Sequence, residues 1–144
     1  LDQAKKRGIK FLLPTDHLVA EKFSAESSAS IAQNNNFPAT GMGLDIGPET
    51  IEAYVQQIDL AQTVIWNGPM GVFEFDNFAR GTFAIAEALA KSACLSIIGG
   101  GDSVAAVNKS NLQEQMTHIS TGGGASLEFL EGKDLPGVVA LTDA

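Results

Sequence analysis

The sequence predicts a three-layer α/β/α fold built on a parallel, doubly wound sheet. Short apolar segments typical of strands alternate with helical segments, and glycine-rich turns follow three of those strands. The composition agrees with a folded domain, because 44% of the 144 residues are hydrophobic and 18% are charged. Fifteen of the 144 residues are glycine, which is more than the usual share of about 7%. The length is that of one domain of roughly 100–200 residues.

The first residues predict a helix that leads into a strand. Residues 2–7 read as the last turns of a helix, with basic side chains at its end and Gly8 after it. Residues 9–13 (IKFLL) predict a buried strand that Pro14 ends. An α/β chain that begins inside a helix is expected to lack an upstream strand. We therefore interpret the sequence as a fragment whose sheet is truncated at its N-terminal side.

The next third of the chain carries weaker signals. Residues 17–20 predict a short second strand, whereas residues 24–40, rich in Ser, Ala and Asn, show no period and predict a loop. Pro48 suits the first position of a helix that should run to about Leu60.

The remaining chain repeats strand, turn and helix. Strands are predicted at residues 63–66, 95–98 and 116–119, and helices at residues 77–92, at residues 104–109 and up to about Leu130. Residues 135–144 are predicted to form a tail. This regular alternation is typical of a parallel, Rossmann-like sheet.

The charge balance excludes several classes of partner. Nine Lys and Arg against 17 Asp and Glu give a net charge of −8, so no basic surface exists for nucleic acid or an anionic membrane. No apolar run approaches a membrane span, and Cys94 is the single cysteine, which excludes an internal disulfide. We expect a cytoplasmic protein with no nucleic-acid or membrane partner.

Three glycine-rich turns are the strongest functional signal. They are residues 67–71 (NGPMG), 99–103 (GGGDS) and 120–126 (STGGGAS). The turns after parallel strands lie at one edge of a sheet, and helix N-termini there bind phosphate groups. An acidic chain could thus hold a polyphosphate, although glycines can also serve only to shape tight turns. Neither G-x-G-x-x-G nor G-x-x-x-x-G-K-[ST] occurs, which argues against a dinucleotide enzyme or a P-loop ATPase.

Five polar side chains lie in or near these turns. Asp102 is predicted at the N-cap of a helix, where it either caps the backbone or holds Mg²⁺. Ser103 could cap the same helix or donate to a phosphate. Glu74 could accept from ribose hydroxyls, or be a solvated surface glutamate. Arg80 and Lys109 are candidate anion partners, with solvated helix positions as the alternative.

Five motifs follow one another along the chain: GLDIGPE at residues 43–49, WNGPMGVFE at 66–74, GGGDS at 99–103, STGGGAS at 120–126 and LPGV at 135–138. In this order they resemble the phosphoglycerate kinase family. The resemblance covers residues 1–144 and is to the last part of the C-terminal, nucleotide-binding domain.

The resemblance implies transfer of a phosphoryl group from 1,3-bisphosphoglycerate to ADP, giving 3-phosphoglycerate and ATP, in glycolysis. It implies Mg²⁺ with ATP or ADP, with Asp102 as the metal ligand. The nucleotide-binding residues it implies are Gly43, Leu44, Asn67, Gly68, Pro69, Phe73, Glu74, Gly100, Gly101, Asp102 and Ser103. The residues that match the stretch facing the transferring phosphoryl group, and are thus implied to be catalytic, are Gly122, Gly123 and Gly124.

The resemblance also implies what lies outside this sequence. The family's Gly-Ala-Lys and Ser-Asp-Lys stretches and its N-terminal substrate domain have no counterpart in these residues. We therefore expect the 144-residue piece to be inactive by itself, and the full-length enzyme to be a monomer. A non-catalytic α/β interaction module and an acidic phosphosugar-binding domain remain as alternative interpretations.

Overall fold

The computed structural model describes residues 1–120 and 122–141. It contains two three-stranded sheets. The first is antiparallel, in the order β2-β1-β3, and consists of β1 (Asp16–Ala20), β2 (Ser30–Gln33) and β3 (Met42–Ile46). The second is parallel, in the order β4-β5-β6, and consists of β4 (Thr63–Asn67), β5 (Leu95–Gly99) and β6 (His118–Ile119).

Helices precede, connect and follow these strands. They are α1 (Asp2–Lys6), α2 (Pro48–Leu60), α3 (Arg80–Lys91), α4 (Gly101–Lys109), α5 (Gly123–Leu130) and α6 (Pro136–Val139). Helix α2 begins at Pro48 and ends at Leu60, as predicted. Within the residues that the structure describes, no helix is long and apolar enough to cross a membrane.

The parallel sheet lies between helices on both of its faces, which confirms the predicted fold class. Alternate residues of β4 and β5, such as Trp66 and Ile98, point towards α2, α3 and α4 and form the main core with Ile58, Ile85, Leu89 and Val107. On the opposite face, Ile65 and Ile97 face α5 across a cleft.

The antiparallel sheet was not predicted. Residues 24–40, expected to be a loop, contain β2 and a short 3-10 helix at Asn34–Asn36. Strand β2 buries only Ala32, so its sequence gives almost no signal of a buried strand. Its extended conformation is stabilised by its pairing with β1. Short deviations also occur elsewhere: the strand predicted at 116–119 is confined to His118–Ile119, and the tail contains α6. Residues 142–144 of that tail lie outside the described part.

The strand predicted at residues 9–13 is wrong. These residues form neither strand nor helix, and Phe11 and Leu13 are more than half exposed. No strand among the described residues pairs with this segment, so its backbone has no hydrogen-bonding ladder and its apolar side chains have no core to enter.

Two buried carboxylates of the antiparallel sheet cap helices that begin elsewhere in the chain. Asp16 accepts hydrogen bonds from the backbone N–H groups of Glu49 (3.0 Å) and Thr50 (2.8 Å) in the first turn of α2. Asp45 accepts one from Gly81 (2.7 Å) in the first turn of α3. These contacts attach the antiparallel sheet to the helices that flank the parallel sheet.

Candidate nucleotide site

The three glycine-rich turns meet at the C-terminal edge of the parallel sheet. Asn67 pairs with Gly99 in the register of β4 and β5, and a Cβ atom on Gly100 would lie 3.0 Å from Asn67 Oδ1. A Cβ atom on Gly123 would lie 3.1 Å from Gly100 Cα. Gly100 also has a φ of +86°, which favours glycine. The turns therefore contact one another closely, which a side chain at Gly100 or Gly123 would disturb.

Two helices begin at this edge without a side-chain cap. Gly100 is the N-cap of α4 and Gly122 is the N-cap of α5, and neither helix end has a side-chain cap hydrogen bond. A Cβ atom on Gly101 or Gly124 would meet no described atom within 4 Å. Backbone N–H groups of the first helical turn lack intrahelical partners. These helix ends can therefore donate hydrogen bonds to an anion. Thr121, part of the third turn, lies outside the described residues.

Asp102 was predicted at the N-cap, and that placement is wrong. Because Gly100 turns the chain directly from β5 into α4, Asp102 is the second residue of the helix. Its side chain is exposed, and the described part of the chain offers it no hydrogen bond or ion pair. A single free carboxylate suits Mg²⁺, which takes one or two carboxylates together with substrate phosphates. No cluster of three or more His, Cys, Asp or Glu residues suited to a metal occurs in ranges 1–120 and 122–141.

Ser103 joins the first turn to α4. Its side chain is fully buried, and its Oγ accepts a hydrogen bond from the Gly68 N–H at 2.6 Å. Trp66 Nε1 donates to the Gly68 carbonyl at 2.7 Å. The peptide groups on both sides of Gly68 are thus held by side chains, while its φ of +101° favours glycine there. The acceptor capacity of Ser103 serves the protein's own backbone.

A cleft of about 280 Å³ brings together Gly43, Leu44 and Pro69, three of the predicted nucleotide-binding residues. Val72 also lines it, and its N–H donates to the Leu44 carbonyl at 2.8 Å. This bond attaches the loop after β4 to strand β3.

The end of that loop is anchored by Lys109. Its Nζ donates to the carbonyls of Phe73 (2.9 Å) and Glu74 (3.3 Å) and to the carboxylate of Asp76 (3.2 Å). Lys109, a candidate anion partner in the sequence, therefore binds the protein's own loop. Arg80 is exposed at the first residue of α3.

The last two predicted residues of this loop face different surroundings. The Phe73 ring is buried against Ala79 and Ala106, so it packs in a core rather than presenting a surface to a ligand. Glu74 has an exposed side chain, which is the arrangement expected of a group that contacts a ligand or solvent.

Sequence reasoning missed Asp45. The side chain is buried, and its oxygens accept hydrogen bonds from the N–H groups of Ile46 (2.9 Å) and Gly81 (2.7 Å). Burial raises the pKa of Asp45 to about 6, although the two amide hydrogen bonds lower it in part. At Asp16 burial also acts to raise the pKa, but hydrogen bonds from Thr50 and Glu49 outweigh it and lower the pKa below its usual value. A lone acid between Leu44 and Ile46 was the available signal for Asp45.

The chain is similar in sequence to one family of known proteins. The sequence matches the family described as phosphoglycerate kinase over residues 1–133. It is 58% identical over 143 residues to a phosphoglycerate kinase of Clostridium novyi (strain NT) and 59% identical over 145 residues to one of Koribacter versatilis (strain Ellin345). Each alignment covers 99% of this chain and 36% of the relative, so the chain spans about a third of the length of these relatives.

Solved structures agree with the sequence relatives. The fold matches the structure of phosphoglycerate kinase from Coxiella burnetii with a TM-score of 0.92 at 43% identity, covering 96% of this chain and 36% of that one. It matches phosphoglycerate kinase from Pyrococcus horikoshii OT3 with a TM-score of 0.78 at 32% identity, covering 97% and 38%. The chain belongs to the phosphoglycerate kinase family.

Proposed function

We propose that this chain supplies part of the Mg²⁺-nucleotide site of a cytoplasmic, monomeric, glycolytic ATP:3-phosphoglycerate phosphotransferase. The observation that carries the proposal is the contact of three glycine-rich turns at one sheet edge, where two uncapped helix N-termini begin. Family membership supplies the reaction: the bond between the carboxyl oxygen of 1,3-bisphosphoglycerate and phosphorus breaks, and an oxygen of the ADP β-phosphate bonds to that phosphorus.

The phosphate end of the site uses backbone amides and one carboxylate. Phosphoryl transfer is mostly positioning and stabilisation of charge on the equatorial oxygens. The N–H groups at Gly123 and Gly124 would donate to the transferring group, and that of Gly122 would do so in place of its 3.3 Å bond to Ser120 Oγ. The N–H groups at Gly100, Gly101 and Ser103 would donate to the nucleotide phosphates. Asp102 would hold Mg²⁺, which neutralises phosphate charge when bound.

The nucleoside end uses the cleft beside β3. The backbone of Gly43 and Leu44 and the ring of Pro69 would contact the adenine, since these residues line one cleft. The exposed carboxylate of Glu74 would accept from ribose hydroxyls. Phe73 would support this end through packing beneath the loop, because its ring is buried. Asn67 and Gly68 connect the two ends.

The acid substrate requires residues outside this sequence. With nine Lys and Arg against 17 acids, the 144 residues carry little basic surface for 1,3-bisphosphoglycerate or 3-phosphoglycerate. We expect them to bind MgADP weakly and to show no kinase activity alone. A coupled assay with the purified chain should detect no turnover, and detectable turnover would contradict this expectation.

The binding test uses the intrinsic fluorescence of Trp66, the single tryptophan, whose ring nitrogen donates a hydrogen bond to the Gly68 carbonyl. Titration with MgADP should change this fluorescence, and Asp102→Ala should weaken binding about tenfold or more when Mg²⁺ is present. Asp59→Ala is the matched control. Asp59 is an exposed acid near the end of α2, and it shortly precedes the start of β4, which lies at the sheet edge opposite the turns.

The same titration separates the alternatives. A response to sugar phosphates with indifference to adenine would favour a phosphosugar-binding domain. No response to MgADP or to sugar phosphates would favour a non-catalytic interaction module. Equal binding by Asp102→Ala and Asp59→Ala would overturn the assigned role of Asp102.

A further inference from the structure

We infer that Asp45 is a positioning residue for the nucleotide site: it fixes the start of α3, and through α3 it sets the turn that carries Pro69. This inference rests on the proposed function, because it assigns Asp45 a role in nucleotide affinity. Asp45 is 3% exposed, and it lies at the base of the cleft that Gly43, Leu44 and Pro69 also line.

The carboxylate is enclosed by two glycines from different elements. Gly71 belongs to the turn after β4, and Gly81 belongs to the first turn of α3. A Cβ atom on either glycine would overlap with Asp45 Oδ1. Both backbones therefore approach the carboxylate as closely as sterics allow, and Gly81 also donates its N–H to Oδ2 at 2.7 Å. Loss of the carboxylate would leave a void and an unpaired amide at this junction.

The next residue of α3 carries this placement back to the turn. Thr82 is fully buried, and its Oγ1 accepts hydrogen bonds from the N–H groups of Met70 (3.1 Å) and Gly71 (3.2 Å). A shift at Gly81 therefore moves the acceptor that holds Met70, the neighbour of Pro69. Because Pro69 faces Gly43 and Leu44 across the cleft, a shift of the turn alters the width of the proposed adenine site.

Asp16 provides a control with the same chemistry in another place. It too is a buried carboxylate from the antiparallel sheet, and it caps α2 through Glu49 and Thr50. Its carboxylate accepts hydrogen bonds from Glu49 and Thr50 of α2, and among the described residues it accepts none from the turn at residues 67–71. Substitution of Asp16 tests the loss of a buried helix cap without the connection to Pro69.

The experiment measures MgADP affinity by isothermal titration calorimetry in the 144-residue chain, with folding of each variant checked by circular dichroism. Asp45→Ala should weaken binding about tenfold or more, since small misplacements of a binding group are costly. Asp45→Asn should restore affinity to within about threefold of the unmodified chain, because the amide keeps the volume and one acceptor. Asp16→Ala should change affinity by less than about twofold.

Gly71→Ala is a second variant that does not depend on the cap. Its Cβ would overlap with Asp45 and push the turn outward while leaving the Gly81 bond available. It should weaken MgADP binding as Asp45→Ala does, and it decides the matter if Asp45→Ala does not fold.

Different outcomes overturn the proposed nucleotide site and the role of Asp45. Absence of MgADP binding by the unmodified chain would overturn the proposed function and this inference with it. If the unmodified chain binds, unchanged affinity in folded Asp45→Ala or in Gly71→Ala would overturn the role of Asp45 alone. An equal loss in Asp16→Ala would reduce that role to general stability and would also overturn it.

Discussion

Side chains that hydrogen-bond to glycine peptide groups hold the candidate site in place. Ser103 and Trp66 bind the two sides of Gly68, and Thr82 binds the amide of Gly71. Glycine backbones leave room for a phosphate to approach, but they supply no packing of their own. The geometry of the turns therefore depends on polar side chains that lie behind them.

Ser103→Ala tests this dependence. The variant removes the acceptor of the Gly68 N–H in a partly buried place, so we expect the free energy of unfolding to fall by about 1–3 kcal/mol. Urea denaturation followed by circular dichroism measures the change. Ser110→Ala, at the other end of α4, removes a hydroxyl that donates to the Val107 carbonyl. It should lower the free energy of unfolding by no more than about 0.5 kcal/mol. Equal losses in the two variants would contradict the assigned role of Ser103.

Asp45 should leave a signature in the pH dependence of stability. Its pKa is raised from 3.8 to about 6 by burial, so between these values the folded chain binds more protons than the unfolded one. Its contribution to the free energy of unfolding therefore falls as pH rises from about 4 to about 6, by at most about 3 kcal/mol. The difference between the unmodified chain and Asp45→Asn, measured by denaturation at each pH, isolates this slope.

Asp16 should behave in the opposite way, which makes Asp16→Asn the control. Because its folded pKa lies below 3.8, its contribution is present above that value and is lost as pH falls through the folded pKa. A profile for Asp45→Asn that parallels that of the unmodified chain from pH 4 to 6 would contradict the prediction for Asp45.

At the scale of elements, the parallel half of the chain was predictable, whereas in the antiparallel sheet only β1 was, through the strand predicted at residues 17–20. Strands β4 and β5 are apolar segments followed by glycine turns and helices, a local pattern that needs no partner to be seen. Strand β3 contains Gly43 and Asp45, and two of the four residues of β2 are polar without alternating with the apolar ones, so neither carries a strand pattern. Residues 9–13 are the opposite case. Their apolar pattern predicted a strand, but no described strand pairs with them, so no strand forms there.

The candidate site was likewise predictable only in part. The three turns were predictable because topology alone brings the ends of parallel strands to one edge. The contacts that hold the turns join Ser103 to Gly68, Lys109 to Phe73 and Asp45 to Gly81, which are 35 to 36 positions apart. Without the fold, no spacing in one sequence distinguishes these side chains from solvated ones.

Lys109→Met tests how α4 anchors the loop after β4. The change removes two hydrogen bonds to the carbonyls of Phe73 and Glu74 and the contact with Asp76, while it keeps an unbranched apolar chain in place of the lysine stem. We expect amide exchange to accelerate at residues 73–76 and the free energy of unfolding to fall by about 1–2 kcal/mol. Hydrogen exchange by mass spectrometry measures the first effect, and urea denaturation the second.

Lys91→Met is the matched control for that experiment. Lys91 forms an exposed ion pair with Glu87 one helical turn away, and such pairs contribute roughly 0.3–0.5 kcal/mol. If Lys91→Met and Lys109→Met have the same small effect, the loop is held without Lys109.

At the scale of the whole molecule, apolar side chains remain exposed on one side of the parallel sheet. The main core lies between that sheet and helices α2, α3 and α4. On the other side, Ile65 and Leu95 are more than 40% exposed, and Phe129 and Leu130 of α5 are more than half exposed. A cleft of about 400 Å³ separates α5 from the sheet. Contiguous apolar surface of this kind marks a contact region in soluble proteins.

We therefore expect the 144-residue chain to self-associate through this face at micromolar concentration. The net charge of −8 opposes association at low ionic strength, so added salt should strengthen it by screening the repulsion. Sedimentation velocity should show larger species in the unmodified chain, and Ile65→Lys or Phe129→Lys should shift them towards monomer. Leu60→Lys is the control, because Leu60 is 80% exposed at the end of α2, away from the cleft. A monomeric unmodified chain, or an equal effect of Leu60→Lys, would show that this face does not drive association.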